Sequence, residues 1–425
     1  MQEQHRWLRS AGAMAGITLL SRITGYLRDL LQGYVLGAGP GSDAFVIAYR
    51  IPNLFRRLVG EGEMTAAFVP VFTRYLQGKD REEVWRFCGA AFYALSLVLV
   101  LIVLAGVIFA PLLVGLLASG FGADPGKWEL TVALNRVMFP YLLCISLSAL
   151  SMAILNSLGS FAYPALSPIL LNLSIGAAAL LLAPRMREPA FGFAVGVLAG
   201  GVLQFLYQVP VLARRGMDFT PRLEPGHPGV RMVGRLMLPG LFGAGVTQLN
   251  LVIDSQFASW LQPGSVSFLY YAVRVTELAL GVFAVPVSTA VLPRLSAQAA
   301  RGDAEAVRQT LAQAARLLGF ITLPATVGLV LLRQEIVAVL FQRGRFGAAD
   351  TVLTADALLY YSLGLVCYAG VKVFAPSFYA YQDTVTPVQV GVIVFLVHLG
   401  LNFLLIRPLR HGGLALSTSL SAALN

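Results

Sequence analysis

The chain has 425 residues, 57% of them hydrophobic and only 12% charged, with a mean hydropathy of +0.73. Soluble domains carry about 45–50% apolar and about 25% charged residues, so a water-soluble enzyme and a disordered chain are both excluded. The formal charge of +10 rests almost wholly on arginine, lysine standing only at Lys79, Lys127 and Lys372; arginine favours bidentate contact with phosphate and carboxylate, which points to an anionic headgroup rather than to nucleic acid.

At 1.5 Å per residue, a helix needs about 20 apolar residues to cross roughly 30 Å of hydrocarbon. Apolar runs between charged or Pro/Gly-rich breaks predict spans over 10–36, 43–75, 87–118, 130–156, 164–184, 190–212, 233–261, 266–296, 312–333, 352–377, 386–406 and from 412 to the end. That makes twelve, the last incomplete, and the expected class is an all-α polytopic membrane protein. With the N-terminus cytoplasmic, the inside loops collect Arg6, Arg9, Arg81, Arg86, Arg214, Arg215 and Arg222, while the outside loops hold fewer basic residues, among them Arg185, Arg187, Arg343 and Arg345. The first apolar run continues past signal-peptide length and is interrupted by charge, so no cleavable signal is read. Cys88, Cys144 and Cys367 show neither CxxC nor Cys/His spacing, which indicates no disulfide framework and no metal site.

Sliding the sequence on itself by about 223 residues reveals a duplication. Pro40-Gly41-Ser42 falls on Pro263-Gly264-Ser265, Phe45 on Phe268, Pro70 on Pro293, Cys144 on Cys367 and Pro164 on Pro387. With a one-residue gap, Arg50 and Leu54 meet Arg274 and Leu278. The expected domains are an N-lobe over 1–215 (spans 1–6) and a C-lobe over 216–425 (spans 7–12). Six spans per repeat is an even number, so the halves share one orientation and are expected to be related by a pseudo-twofold along the membrane normal, an architecture typical of transporters. The span at 190–212 maps to about 413–435, beyond Asn425, so the last helix is expected to be truncated.

Charges interrupt these spans. Arg22 and Arg28 lie in the first, where a lipid-facing arginine costs at least about 2.5–3.5 kcal/mol, and at helical spacing Arg22 and Asp29 fall within about 20° of one stripe. The second span adds Asp43, Arg50, Arg56, Arg57, Glu61 and Glu63 around Pro52, the seventh Asp254, and the eighth Arg274 and Glu277. One reading is interhelical salt bridging with snorkelling at the ends. The other is a hydrated cationic cavity for an anionic substrate, favoured because several arginines in one half exceed what pairing requires. Asp254 and Asp383 are candidate holders of a coupling ion. Asp254, mid-span, either pairs an arginine or binds a cation, and Asp383-Thr384-Val385-Thr386-Pro387 also reads as an ordinary capped helix start. His398, alone on an apolar face, reads as a satisfied packing residue, and Tyr270-Tyr271 as core packing.

The motifs Ser21-Arg22-Ile23-Thr24-Gly25-Tyr26-Leu27-Arg28-Asp29, Ser42-Asp43-Ala44-Phe45, Ile51-Pro52-Asn53-Leu54-Phe55-Arg56-Arg57, Ala67-Phe68-Val69-Pro70, Gly264-Ser265-Val266-Ser267, Tyr270-Tyr271-Ala272-Val273-Arg274 and Gln382-Asp383-Thr384-Val385-Thr386-Pro387 run the length of the chain. On them the sequence resembles the MurJ (MviN) family of lipid II flippases, within the MATE-like multidrug/oligosaccharidyl-lipid/polysaccharide transporter group. The resemblance implies two six-helix lobes around a central cavity, substrate contacts at Arg22, Arg28, Arg56 and Arg274 with Ser21 and Ser267 beside them, and acidic gate positions at Asp29 and Asp43. It implies a sodium site in the C-lobe of some members, which Asp254 fits, and two further C-terminal helices beyond this chain. It also implies a multi-pass protein of the bacterial inner membrane with lipid II, membrane lipids and cell-wall synthesis proteins as partners.

The expected activity is therefore not enzymatic. Arginines would replace the hydration of the undecaprenyl-pyrophosphate headgroup by charge-assisted bonds, the tail would stay in lipid, and alternating access would carry the headgroup to the outer leaflet. The sequence carries no Walker A motif, so membrane potential or an ion gradient is the expected drive. Alternatives are a flippase for another undecaprenyl-linked oligosaccharide, a MATE-type small-molecule exporter, whose cavity should be acidic or aromatic, and a non-transporting scaffold.

Overall fold

In a membrane every backbone N–H and C=O must be satisfied internally, and apolar runs of this length do so as helices. The computed structural model describes residues 2–60, 63–221, 224–381, 383 and 385–425, and leaves undescribed the side chains of 2–15, 59, 60, 63, 242–244, 246, 247, 283 and 379. Glu61, Arg222, Gln382 and Thr384, and the side chains of Arg6, Arg9 and Glu63, therefore lie outside the described residues. Among those described there is no strand.

In chain order the helices are α1 (Gln2–Leu36), α2 (Pro40–Phe55), α3 (Glu63–Gly78), α4 (Arg81–Ile108), α5 (Ala110–Ala118), α6 (Pro125–Met138), α7 (Tyr141–Ser157), α8 (Ala162–Leu181), α9 (Ala190–Leu206) and α10 (Val209–Arg215). They continue as α11 (Pro228–Ser259), α12 (Ser265–Ala300), α13 (Ala304–Leu331), α14 (Arg333–Phe341), α15 (Ala348–Leu363), α16 (Leu365–Ala380) and α17 (Val385–Leu424). Among the described residues the predicted spans fall largely on helix, but several are broken: 43–75 divides between α2 and α3, 87–118 between α4 and α5, 130–156 between α6 and α7, and 352–377 between α15 and α16. Among the described residues six stretches are long and apolar enough to cross a membrane, or up to eight if each of two bent pairs counts as one span. The difference lies in charge and length: α1 carries Arg22, Arg28 and Asp29, and α2 is only 16 residues long.

Local chemistry sets the helix ends. Asp80 caps α4 by accepting the Glu83 N–H, Asp124 caps α6 from the Lys127 N–H with Pro125 in the first turn, and Asp303 caps α13 from the Ala306 N–H. After α2, which contains Pro52, the chain forms a π-helical turn over Arg56–Gly60. α17 is two helices joined at Arg410, which takes φ 50° and ψ −128° two residues after Pro408.

The duplication extends to helix boundaries. Arg81–Ile108 and Ala304–Leu331 match end to end at a displacement of 223 residues, as do Ala110–Ala118 and Arg333–Phe341, and the caps Asp80 and Asp303 stand at the same displacement. The starts of α8 and α17, Ala162 and Val385, obey it too.

By internal contacts the chain forms two compact units: Met1–Leu36, Ala44–Leu117 and Phe121–Gln248 make one, and Gly37–Asp43, Ala118–Gly120 and Leu249–Asn425 the other. The core of the first joins Tyr141, Ile175, Ala179, Phe193, Ala194 and Val197. There α8 and α9 approach so closely that a Cβ on Gly196 would lie 2.8 Å from the Ala178 methyl. In the second unit, buried Tyr271 packs against Phe341 and Phe346, at ring-centroid distances of 5.0 and 5.3 Å.

Candidate functional site

The first unit places its charges on α1 and the turn after α2. Arg28 donates to Asp29 Oδ1 from Nη2 at 2.7 Å and Nε at 3.0 Å, and from Nη1 to Asn172 Oδ1 on α8 at 3.1 Å. The Asn172 amide in turn donates to the Ser21 carbonyl at 3.2 Å and the Thr24 hydroxyl at 3.3 Å. Gly25 permits this approach, since a Cβ there would sit 3.3 Å from Asn172 Nδ2. One side chain from α8 thus holds both the backbone of α1 and its guanidinium. Asp29 is buried, Arg28 nearly so, and Arg22 is exposed. Among the described residues Arg22 makes no hydrogen bond or ion pair, so the stripe predicted for Arg22 and Asp29 divides into an exposed cation and a buried pair. Arg56, half-buried in the π-helical turn, donates from Nε to Asn53 Oδ1 at 2.7 Å. Ser21 is half-buried beside the Asn172 clamp.

In the second unit Asp43 is 1% exposed and caps α12 from outside that helix. Its Oδ2 accepts the Gly264 N–H at 2.7 Å, and its Oδ1 accepts the Ser267 N–H at 2.9 Å and the Ser267 hydroxyl at 2.7 Å. Gly264 itself has φ 95°, and a Cβ there would lie 2.4 Å from the Ala38 carbonyl. The Tyr271 hydroxyl adds a bond to the Gly37 carbonyl at 3.2 Å, so the segment 37–43 is fastened to the first two turns of α12. Ser267, expected to touch substrate, directs its hydroxyl to Asp43. Farther along α12, Arg274 pairs with Glu277 at 2.6 Å and lies 4.8 Å from the Tyr270 ring centroid.

Asp254 pairs with no arginine among the described residues. Its Oδ1 faces His398 Nε2 at 2.7 Å and accepts from Asn402 Nδ2 at 2.9 Å, both residues standing on α17. His398 is the satisfied buried residue the sequence suggested, and its partner is the candidate ion ligand itself. Asp383 accepts from the Val385 and Thr386 backbone N–H groups at 3.0 and 2.9 Å, a helix cap at the start of α17. The Thr386 hydroxyl, followed by these N–H groups, holds its carboxyl below the ordinary value of 3.8. A sodium ion takes oxygen ligands as other hard cations do; the groups converging on Asp254 Oδ1 are N–H donors, so that oxygen is not open to one. Asn172 and Asn402, hydrogen-bond partners of the candidate residues Arg28 and Asp254, are not singled out by the sequence, although each is an amide in an apolar run.

Known proteins share this sequence and this fold. The profile of the family described as "Lipid II flippase MurJ" matches residues 33–425. The "Probable lipid II flippase MurJ" of Vibrio cholerae is 38% identical over 99% of this chain and 81% of its own length. The "Lipid II flippase MurJ" of Burkholderia cenocepacia is 36% identical over 98% of this chain and 82% of its own. Among solved structures, a lipid II flippase MurJ in an inward closed conformation superposes with a TM-score of 0.83 at 30% identity, covering 97% of this chain and 85% of that one. An inward-facing multidrug resistance MATE family transporter shares the fold, with a TM-score of 0.75 at 15% identity over 97% of this chain and 96% of the other.

Proposed function

Since this chain belongs to the lipid II flippase MurJ family, we propose that it carries lipid II, the undecaprenyl-pyrophosphate-linked peptidoglycan precursor, from the inner to the outer leaflet of the bacterial plasma membrane. The observation that carries the reading is Arg22, a cation exposed within an apolar helix and without an acidic partner among the described residues. Facing lipid, it would cost at least about 2.5–3.5 kcal/mol; facing water or a diphosphate, it would not. Arg28, Arg56 and Arg274 are the other diphosphate contacts in this reading. Arg28 is oriented by Asp29 and Asn172, and Arg274 by Glu277 and Tyr270. Oriented guanidinium forks suit phosphate oxygens in a way that a lysine ammonium does not.

In this reading the repeat halves 1–215 and 216–425 act as the two lobes of an alternating-access cycle. The N-terminus and the loop at about 213–232 lie in the cytoplasm, and membrane potential supplies the drive. No bond is made or broken in the lipid. A drug exporter for cations is disfavoured by the positive character of these residues. The test is translocation of the precursor in cells depleted of their own flippase. Arg22→Ala, Arg28→Ala and Arg274→Ala, at matched folded expression, are expected to abolish it, and lysine to rescue poorly; unchanged translocation in the alanine variants overturns the proposal.

A further inference from the structure

The duplication makes one half of the chain a control for the other. In the first unit Leu31, Ile175, Ala179, Ala194 and Leu198 meet in the hydrophobic core. At the displacement of 223 residues fixed by the helix ends, these positions become Asp254, His398, Asn402, Ser417 and Ser421. They meet as well. His398 Nε2 stands 2.7 Å from Asp254 Oδ1, Asn402 Nδ2 donates to the same oxygen at 2.9 Å, and His398 Nδ1 lies 3.1 Å from the Ser417 hydroxyl and 3.2 Å from that of Ser421. The fold is therefore built with five apolar side chains in one unit and with a polar network at the same positions in the other. Packing does not require that network, and burying one is costly unless its members are paired.

We infer that this cluster is a carboxylate site whose cation position is filled by the protein's own imidazole, so that Asp254 takes no sodium in this chain. An imidazole nitrogen 2.7 Å from a carboxylate oxygen carries its hydrogen toward it, which fixes Nε2 as the donor. Turning the Asn402 amide over would set two acceptor oxygens 2.9 Å apart with no proton between them, so the network also fixes Nδ2 toward Asp254. Both donors occupy Oδ1 and leave a cation only the second oxygen, Oδ2, of this carboxylate. Beside Oδ2 stand the buried amide oxygens Asn402 Oδ1 on α17 and Asn250 Oδ1 one turn from Asp254 on α11, neither with a hydrogen-bond partner, short of the roughly six oxygens a hard cation gathers. The side chain of His398 is 3% exposed and that of Asp254 22%, so the imidazole cannot swing clear of the carboxylate without repacking α17.

The inference concerns a cation and not the lipid, and its readout is independent of flipping. The full chain in detergent is unfolded thermally in sodium chloride and in potassium chloride at equal ionic strength. The midpoints are expected to coincide for the wild type. His398→Asn removes the imidazole and offers an amide oxygen, and its midpoint is expected to shift upward with sodium and not with potassium; adding Asp254→Asn is expected to remove that shift. A wild-type midpoint that rises with sodium and loses the response in Asp254→Asn overturns the inference, as does a folded His398→Asn variant indifferent to sodium. If His398→Asn does not fold, sodium NMR line broadening by the wild-type protein decides: broadening abolished by Asp254→Asn overturns the assignment, and its absence supports it.

Discussion

Replacing Asp43 should loosen the start of α12 far more than replacing any single donor to it. The carboxylate accepts two backbone N–H groups and one hydroxyl, all at 2.7–2.9 Å, from a position 1% exposed. Asp43→Ala leaves the Gly264 and Ser267 N–H groups and the Ser267 hydroxyl buried without an acceptor. Each orphaned group costs about 1–3 kcal/mol, and hydrogen bonds to an ionised acceptor lie toward the upper end. The three share one acceptor and are not additive, so a total of about 3–5 kcal/mol is expected, in line with breaking other buried charged contacts. Asp43→Asn keeps one oxygen for Ser267 but turns an NH2 toward the Gly264 N–H, for about 1–3 kcal/mol. Ser267→Ala removes one donor and should cost about 1 kcal/mol. Amide hydrogen exchange over 264–268 reads this locally: about 3–5 kcal/mol corresponds to a rise of roughly two to four orders of magnitude in opening. If folded Asp43→Ala shows exchange there no faster than Ser267→Ala, the carboxylate is not what holds this helix start.

Three further outcomes are expected. Asn172→Leu should release Arg28 Nη1 and the Ser21 carbonyl together, lowering stability by about 1–3 kcal/mol and costing translocation more than stability alone accounts for; a variant that unfolds earlier yet flips normally would separate the clamp from function. Arg222→Cys on a cysteine-free background should be labelled by an impermeant thiol reagent only after the membrane is opened, and labelling from outside intact cells would invert the topology. Asp383, whose carboxyl is held below its ordinary value, contributes to the cap of α17 fully above the unfolded-state value and loses that contribution as pH falls through the lowered folded one. Amide exchange in the first turn of α17 should therefore differ between wild type and Asp383→Ala at neutral pH and converge in strong acid; a difference that persists there would remove the cap from the explanation.

What could be read in the sequence divides by the range of the interaction. Asp383 was legible as a helix start because a cap is local: the carboxylate and the N–H groups it accepts lie within three residues of each other. The necessity of partners for Arg28 was legible too, since ionised groups in apolar spans must be compensated. The identity of one partner, Asn172, was not, because it lies 144 residues away and an amide in an apolar run announces nothing about which helix it faces. Asp254 shows the same limit. Its mid-span position announces a site for an arginine or a cation, whereas the group that meets it is His398, 144 residues along the chain. The repeat supplies what single positions lack. Once Leu31 and Ile175 are set against Asp254 and His398, the first pair meeting in an apolar core implies that the second pair meets as well, so two residues unremarkable apart become one site.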